Sequence, residues 1–130
     1  MTPPGAARRP DAVGRVLVIE DDAALLEAVV VFLESEGFPA VPATNGREAL
    51  AHLRAGGTFC LILLDLFMPE MDGWAFRAEQ LRDPNLGSIP VVVISADSSV
   101  DVNGKRLGAV ASLRKPIDFD LLLNEVSTHC

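Results

Sequence analysis

The unbroken apolar run Cys60-Leu61-Ile62-Leu63-Leu64 stops on Asp65 and is followed by Leu66-Phe67-Met68-Pro69-Glu70-Met71-Asp72-Gly73. Such a run, bounded by turn formers, predicts a strand buried on both faces of a parallel sheet. A carboxylate at its end has no place in the core, but it suits the carboxyl edge, where open α/β sheets bind ligands. Pro69 fixes one φ, and Asp72-Gly73 is expected to close the loop with a positive φ at the glycine. Taken alone, Asp65 is equally well explained as a helix cap or turn former.

The rest of the chain supplies companions for that strand. Arg15-Val16-Leu17-Val18-Ile19 is a second apolar strand, and it too ends in acid, Glu20-Asp21-Asp22. Asp22 suits the N-cap of a helix whose core stripe is Leu26, Val29, Val30 and Leu33, stopped by Gly37. Leu25, Ala28, Val31 and Phe32 spill beyond that stripe. Residues 38–43 read as a weak strand, and Pro39 and Pro42 confine it to an edge, because proline cannot donate to a central ladder. A short helix over 47–54 leads to the central strand, and another runs over about 74–82. Ile89 to Ile94 forms a third apolar strand, ending on Ser95. A polar stretch, 97–104, precedes a short helix finishing near Gly108. Residues 109–113 form a last strand, followed by Arg114-Lys115-Pro116. Asp118 caps a terminal helix carrying Phe119, Leu122, Leu123 and Val126. Strands and helices alternate throughout, which predicts an α/β fold with a five-stranded parallel sheet and helices on both faces. Right-handed crossovers and the proline-bearing edge favour the flavodoxin-like order 2-1-3-4-5.

At 130 residues the chain fits one domain, expected over 14–130 behind a disordered tail over 1–13. No apolar segment follows the two tail arginines, so a secretory signal is not expected and the cytoplasm is the default compartment. No run is long enough to cross a membrane. A net charge of −7 argues against direct DNA binding, which needs basic surface. Cys60 in the core strand and Cys130 at the last position are expected to stay unbridged. His52 and His129 sit far apart on helix faces and do not resemble a zinc site.

The predicted order gathers the strand ends. Glu20, Asp21 and Asp65 would meet at one sheet edge, beside Ser95 and Lys115. Carboxylates that close destabilise one another unless a cation intervenes or a pKa rises. A hard divalent ion resolves the conflict, and Mg²⁺ (or Mn²⁺) suits few carboxylates with waters and a phosphate. Lys115 would add a point charge for an oxyanion and Ser95 a hydroxyl donor. These are the parts of a phosphoryl-transfer site. With no general base in view to activate another substrate, Asp65 is the expected acceptor.

The series Val-Leu-Val-Ile-Glu20-Asp21-Asp22, Leu-Leu-Asp65-Leu-Phe-Met-Pro69-Glu-Met-Asp72-Gly73, Val-Val-Val-Ile-Ser95-Ala96 and Leu-Arg-Lys115-Pro116 resembles the receiver domain of two-component response regulators, over roughly residues 14–128. The resemblance implies that Asp65 accepts phosphate from a phosphohistidine of a histidine kinase or phosphotransfer protein. It implies Asp21 and Asp65 as direct metal ligands, with the Phe67 backbone carbonyl added and Glu20 acting through water. Ser95, the Ala96 amide and Lys115 would bind the phosphoryl oxygens, and Lys115-Pro116 would be a cis peptide. Phe67 and Asp97 would flank the path of a hydrolytic water and pull in opposite directions, with slow hydrolysis the expected balance. Leu25, Ala28, Val31 and Phe32 would dock the partner, although a dimer contact or tighter core packing explains them as well.

One departure stands out. The position of the usual inward-rotating aromatic, three residues before Lys115, is Ser112, so that readout is absent or rebuilt. No output module is expected after the terminal helix. Signalling is therefore expected through partner binding or onward relay by a monomer or weak homodimer, rather than through an enzyme activity beyond self-phosphorylation and autodephosphorylation. Two rivals fail on their motifs. A haloacid-dehalogenase-type enzyme needs an Asp where Phe67 stands, and a dinucleotide-binding fold needs a glycine-rich turn where Glu20-Asp21-Asp22 stands. A receiver-like interaction module working without phosphorylation is the remaining alternative.

Overall fold

The computed structural model describes residues 14–130, and the tail expected over 1–13 lies outside them. In chain order the elements are β1 (Arg15–Ile19), α1 (Ala23–Ser35), β2 (Ala40–Ala43), α2 (Gly46–Arg54), β3 (Phe59–Asp65), α3 (Gly73–Arg82), β4 (Val91–Ser95), α4 (Val100–Arg106), β5 (Ala111–Arg114) and α5 (Phe119–His129). The five strands are parallel in the order β2-β1-β3-β4-β5, as expected. The proline-bearing β2 occupies an edge.

Strand periodicity divides the core in two. Leu17, Ile19, Ile62, Leu64, Val91 and Val93 point to one face, which α2, α3 and α4 cover with Leu50, Leu53, Phe76 and Val100. Val16, Val18, Leu61, Leu63, Val92 and Ile94 point to the other, covered by Leu26, Val29 and Leu33 of α1 and Leu122 and Val126 of α5. Burying each such side chain stabilises the fold by about 1.5–3 kcal/mol. Helix starts follow the local chemistry. Asp22, Asn45, Asp72 and Asp118 each accept an amide hydrogen bond from the first turn of the helix they precede. α4 begins at Val100, inside the stretch expected to be polar loop, and buries Val100 and Gly104 against the sheet.

Two expectations are corrected. Gly73 does not supply a positive φ; that conformation falls on Glu70, at 62°. Gly73 opens α3 and is needed for its size, since a Cβ there would lie 2.8 Å from the Asp65 carbonyl oxygen and 2.8 Å from Leu66 Cα. Cys60 and Cys130 do not stay apart: they form a disulfide, with Cα atoms 5.4 Å apart. α5 runs back against the strand direction, so its end returns to the start of β3, where Cys60 is half-buried rather than sealed in the core.

A polar network invisible in the sequence ties α3 to the end of α4. Arg77 is buried, and its guanidinium donates to the carbonyls of Leu107 and Gly108 and to Gln80 Oε1. Gln80 in turn donates to the carbonyls of Leu86 and Ile89. Burial lowers the Arg77 pKa, yet guanidinium stays charged in proteins, and the helix-end carbonyls satisfy it. Arg77→Leu strands those acceptors and is expected to cost about 3 kcal/mol in urea unfolding.

Candidate functional site

The crevice lies at the carboxyl ends of β1, β3, β4 and β5. β1 and β3 neighbour one another but send their chains to opposite faces, so the loops after Ile19 and Asp65 part and leave a gap between them. Glu20, Asp21 and Asp65 meet there, with one carboxylate oxygen from each lying within 4.8 Å of the others. Glu20 and Asp65 are each 3% exposed, whereas Asp21 faces solvent. Lys115 arrives from the loop after β5, its Nζ 2.7 Å from Glu20 Oε1 and 3.5 Å from Asp65 Oδ2. Glu20 Oε2 also accepts the Asp22 amide at 3.1 Å. Lys115 thus leans on Glu20 first, a pairing that strand-end placement did not predict.

Crowding sets the protonation of the site. Burial, then hydrogen bonding and charge repulsion from Glu20, raise the Asp65 pKa to about 7, and Lys115 only partly offsets them. Burial pulls the Lys115 ammonium down, but its hydrogen bond to Glu20 and the charges of Asp65 and Glu20 outweigh that, leaving it above the ordinary lysine value. A divalent cation among the three carboxylates would relieve the repulsion that lifts Asp65, so the donor set fits a hard metal with oxygen ligands.

The rim is equally defined. The next strand end holds Ser95, fully buried, with its Oγ accepting the Asp97 amide at 3.1 Å. Ala96 follows and is exposed. The Asp97 carboxylate is engaged by the Ser99 amide at 2.7 Å. Phe67, two residues beyond Asp65, is 57% exposed, and its amide donates to Asp65 Oδ1 at 3.3 Å. The Lys115-Pro116 peptide is cis, as expected.

Residues 16–127 match the family described as the response regulator receiver domain. The chain is a receiver domain. Among relatives, it is 37% identical over 119 residues to the transcriptional regulatory protein ZraR of Klebsiella oxytoca, covering 88% of this chain and 26% of that protein. It is 30% identical over 115 residues to protein PilH of Pseudomonas aeruginosa, covering 87% of this chain and 94% of that protein. Among solved structures, a response regulator receiver protein from Pseudomonas putida superposes with a TM-score of 0.83 at 31% identity, covering 90% of this chain and 98% of that one. Relatives of the ZraR kind are much longer than the receiver, whereas PilH is nearly matched in length. Receiver domains of this family interact with histidine kinases and phosphotransfer proteins.

Four of the expected site residues, Glu20, Asp21, Asp65 and Lys115, are brought into one cluster, with Ser95 on the adjoining strand end. The four expected docking residues lie on α1, the helix that follows Asp22. Val31 is 58% exposed and Ala28 is exposed, but Leu25 and Phe32 are half-buried. Phe32 spends its face on Phe119 of α5, ring centroids 4.9 Å apart in an edge contact. Ser112 sits where receivers usually carry an aromatic. α4 approaches it so closely at Gly104 that a Cβ there would collide with the Ser112 hydroxyl and come within 3.0 Å of Val93. Among the described residues, no helix is long and apolar enough to cross a membrane.

Proposed function

We propose that this receiver takes a phosphoryl group from a phosphohistidine onto Asp65 in a Mg²⁺-dependent reaction (Mn²⁺ substituting), and signals through partner binding or onward relay. The observation that carries the reading is the convergence of three carboxylates within 4.8 Å, two of them bridged by Lys115. An Asp65 oxygen attacks phosphorus in line; the new O–P bond forms as the P–N bond to the donor imidazole breaks, and the imidazole is left neutral after taking up a proton. Asp21, Asp65 and the Phe67 carbonyl would hold the metal directly and Glu20 through water; when bound, the ion supplies charge neutralisation for the transferring group. Lys115 shifts from Glu20 toward the phosphoryl oxygens. Because the Ser95 Oγ accepts the Asp97 amide, its own hydrogen remains available to donate to the phosphoryl group, with the Ala96 amide beside it. The domain is otherwise no enzyme, acts in the cytoplasm as a monomer or weak homodimer, and does not bind DNA itself.

The bulky apolar Phe67, two residues beyond the acceptor, and Asp97 engaged by the Ser99 amide favour slow loss of the phosphoryl group. Phe67→Asn is expected to speed autodephosphorylation roughly tenfold, equivalent to about 1.4 kcal/mol of barrier, as read from the decay of phosphorylated protein. Of the four docking candidates, Ala28 and Val31 are the exposed pair on α1. Val31→Glu is expected to slow phosphotransfer from the cognate kinase about tenfold, while uptake from acetyl phosphate stays unchanged.

Beryllofluoride, a stand-in for the phosphoryl group, tests the reading through the fluorescence of Trp74, the sole tryptophan. Saturable binding that requires Mg²⁺ and disappears in Asp65→Ala is expected. Binding that survives the substitution, or none in the intact protein, points instead to an interaction module working without phosphorylation.

A further inference from the structure

A second constructed feature lies at the opposite edge of the sheet. In the β1–β3 ladder Arg15 pairs with Phe59 but Val16 pairs with Leu61, so Cys60 is an extra, bulged residue. The bulge resets the alternation. Phe59 and Ile62 point to the face of α2, α3 and α4, whereas Cys60 and Leu61 both belong to the face of α1 and α5. Bulges are rare in parallel ladders and re-aim a side chain. This one turns Cys60 toward the end of α5, where Cys130 completes the disulfide. These are the chain's only cysteines. Both are half-buried rather than sealed, so a reagent can reach the bond. Five residue steps along the strand carry the chain from Cys60 to Asp65, about 16 Å, so the crevice makes no use of the pair.

We propose that Cys60–Cys130 is a reversible redox site that locks the end of α5 onto the sheet and is opened by a dithiol protein. The cytoplasm expected for the chain keeps thiols reduced, and a disulfide there is ordinarily transient and regulatory. Opening is a thiol–disulfide exchange. A thiolate of the dithiol attacks one sulfur and breaks the S–S bond, giving a mixed disulfide. Its second thiol then displaces the bound cysteine. Two electrons and two protons pass to Cys60 and Cys130, and the dithiol leaves as a disulfide. The oxidised helix is tethered at both ends, through Lys115 to Glu20 just before it and through Cys130 to Cys60 after it. On reduction, nothing beyond Val126 is buried, and the last turn is released. The site is independent of the phosphoacceptor reading.

The test follows the wild-type chain through reduction by dithiothreitol and reoxidation by oxidised glutathione, counting alkylated cysteines by intact mass. The oxidised protein is expected to take up no label and the reduced, still folded protein two. Amide exchange over residues 127–130 should rise about tenfold or more on reduction, while α2 is unchanged. The melting temperature should fall by on the order of 10 °C. Reoxidation should restore both, and Cys130→Ser should reproduce the reduced behaviour without reductant. Two free thiols that glutathione disulfide cannot join would overturn the proposal. So would a bond that resists dithiothreitol in the folded protein, or reduction that leaves exchange and melting unchanged.

Discussion

Asp65→Asn is expected to stabilise the metal-free protein by about 2 kcal/mol at pH 8, with about 4 kcal/mol as the ceiling set by the size of the pKa shift. The folded-state pKa of Asp65 is raised from 3.8 to about 7, so the folded state holds this proton more tightly than the unfolded chain does. Stability is therefore fully present below the unfolded value and declines as pH rises from about 4 through about 7. Asn removes that ionisation, and with it the slope. Urea unfolding in chelator at pH 4 and pH 8 should show wild type and variant nearly level at the acid end and separated at the alkaline end. Magnesium should narrow the gap by stabilising only the wild type appreciably, since proton and metal compete for one carboxylate. Parallel pH profiles for the two proteins would refute the crowding on which the site depends.

Gly73→Ala is expected to destabilise the fold by about 2 kcal/mol or more and to lower the melting temperature by roughly 10 °C. The added methyl meets backbone at Asp65 and Leu66, each at 2.8 Å, so no side chain can yield to admit it. The modest helical preference of alanine over glycine, about 1 kcal/mol, only partly offsets the clash. The loop must move, lengthening the 3.0 Å bond from the Gly73 amide to the Leu66 carbonyl and displacing Asp65 with it. Trp74 fluorescence should then report Mg²⁺ affinity weakened about tenfold, equivalent to 1.4 kcal/mol. Unaltered affinity in a destabilised variant would show that the loop and the crevice are mechanically separate.

Much of this was legible in the residues because burial and backbone chemistry are local. Apolar runs marked the three central strands, Pro39 and Pro42 the edge, and Asp22 and Asp118 the caps. The strand order then delivered Glu20, Asp21, Asp65 and Lys115 to one edge. What escaped depends on distances between segments remote in sequence. The bulge at Cys60 has no signature in a uniformly apolar run, so its turn toward Cys130 was hidden. Gly73 looks the same whether glycine serves for its φ or for lack of a side chain. Arg77, on a helix whose apolar pattern is weak, gave no sign that α4 would end against it. The preference of Lys115 for Glu20 over Asp65 rests on differences below 1 Å, finer than any pattern of residue types.

Incubation with Mg²⁺ and acetyl phosphate, followed by intact-mass and peptide mapping, reaches the central claim with no partner needed. One phosphoryl group is predicted, carried on Asp65, absent in chelator and absent from Asp65→Asn. A protein that gains no phosphoryl mass, or an Asp65→Asn variant that gains as much as the wild type, would contradict the assignment of this crevice.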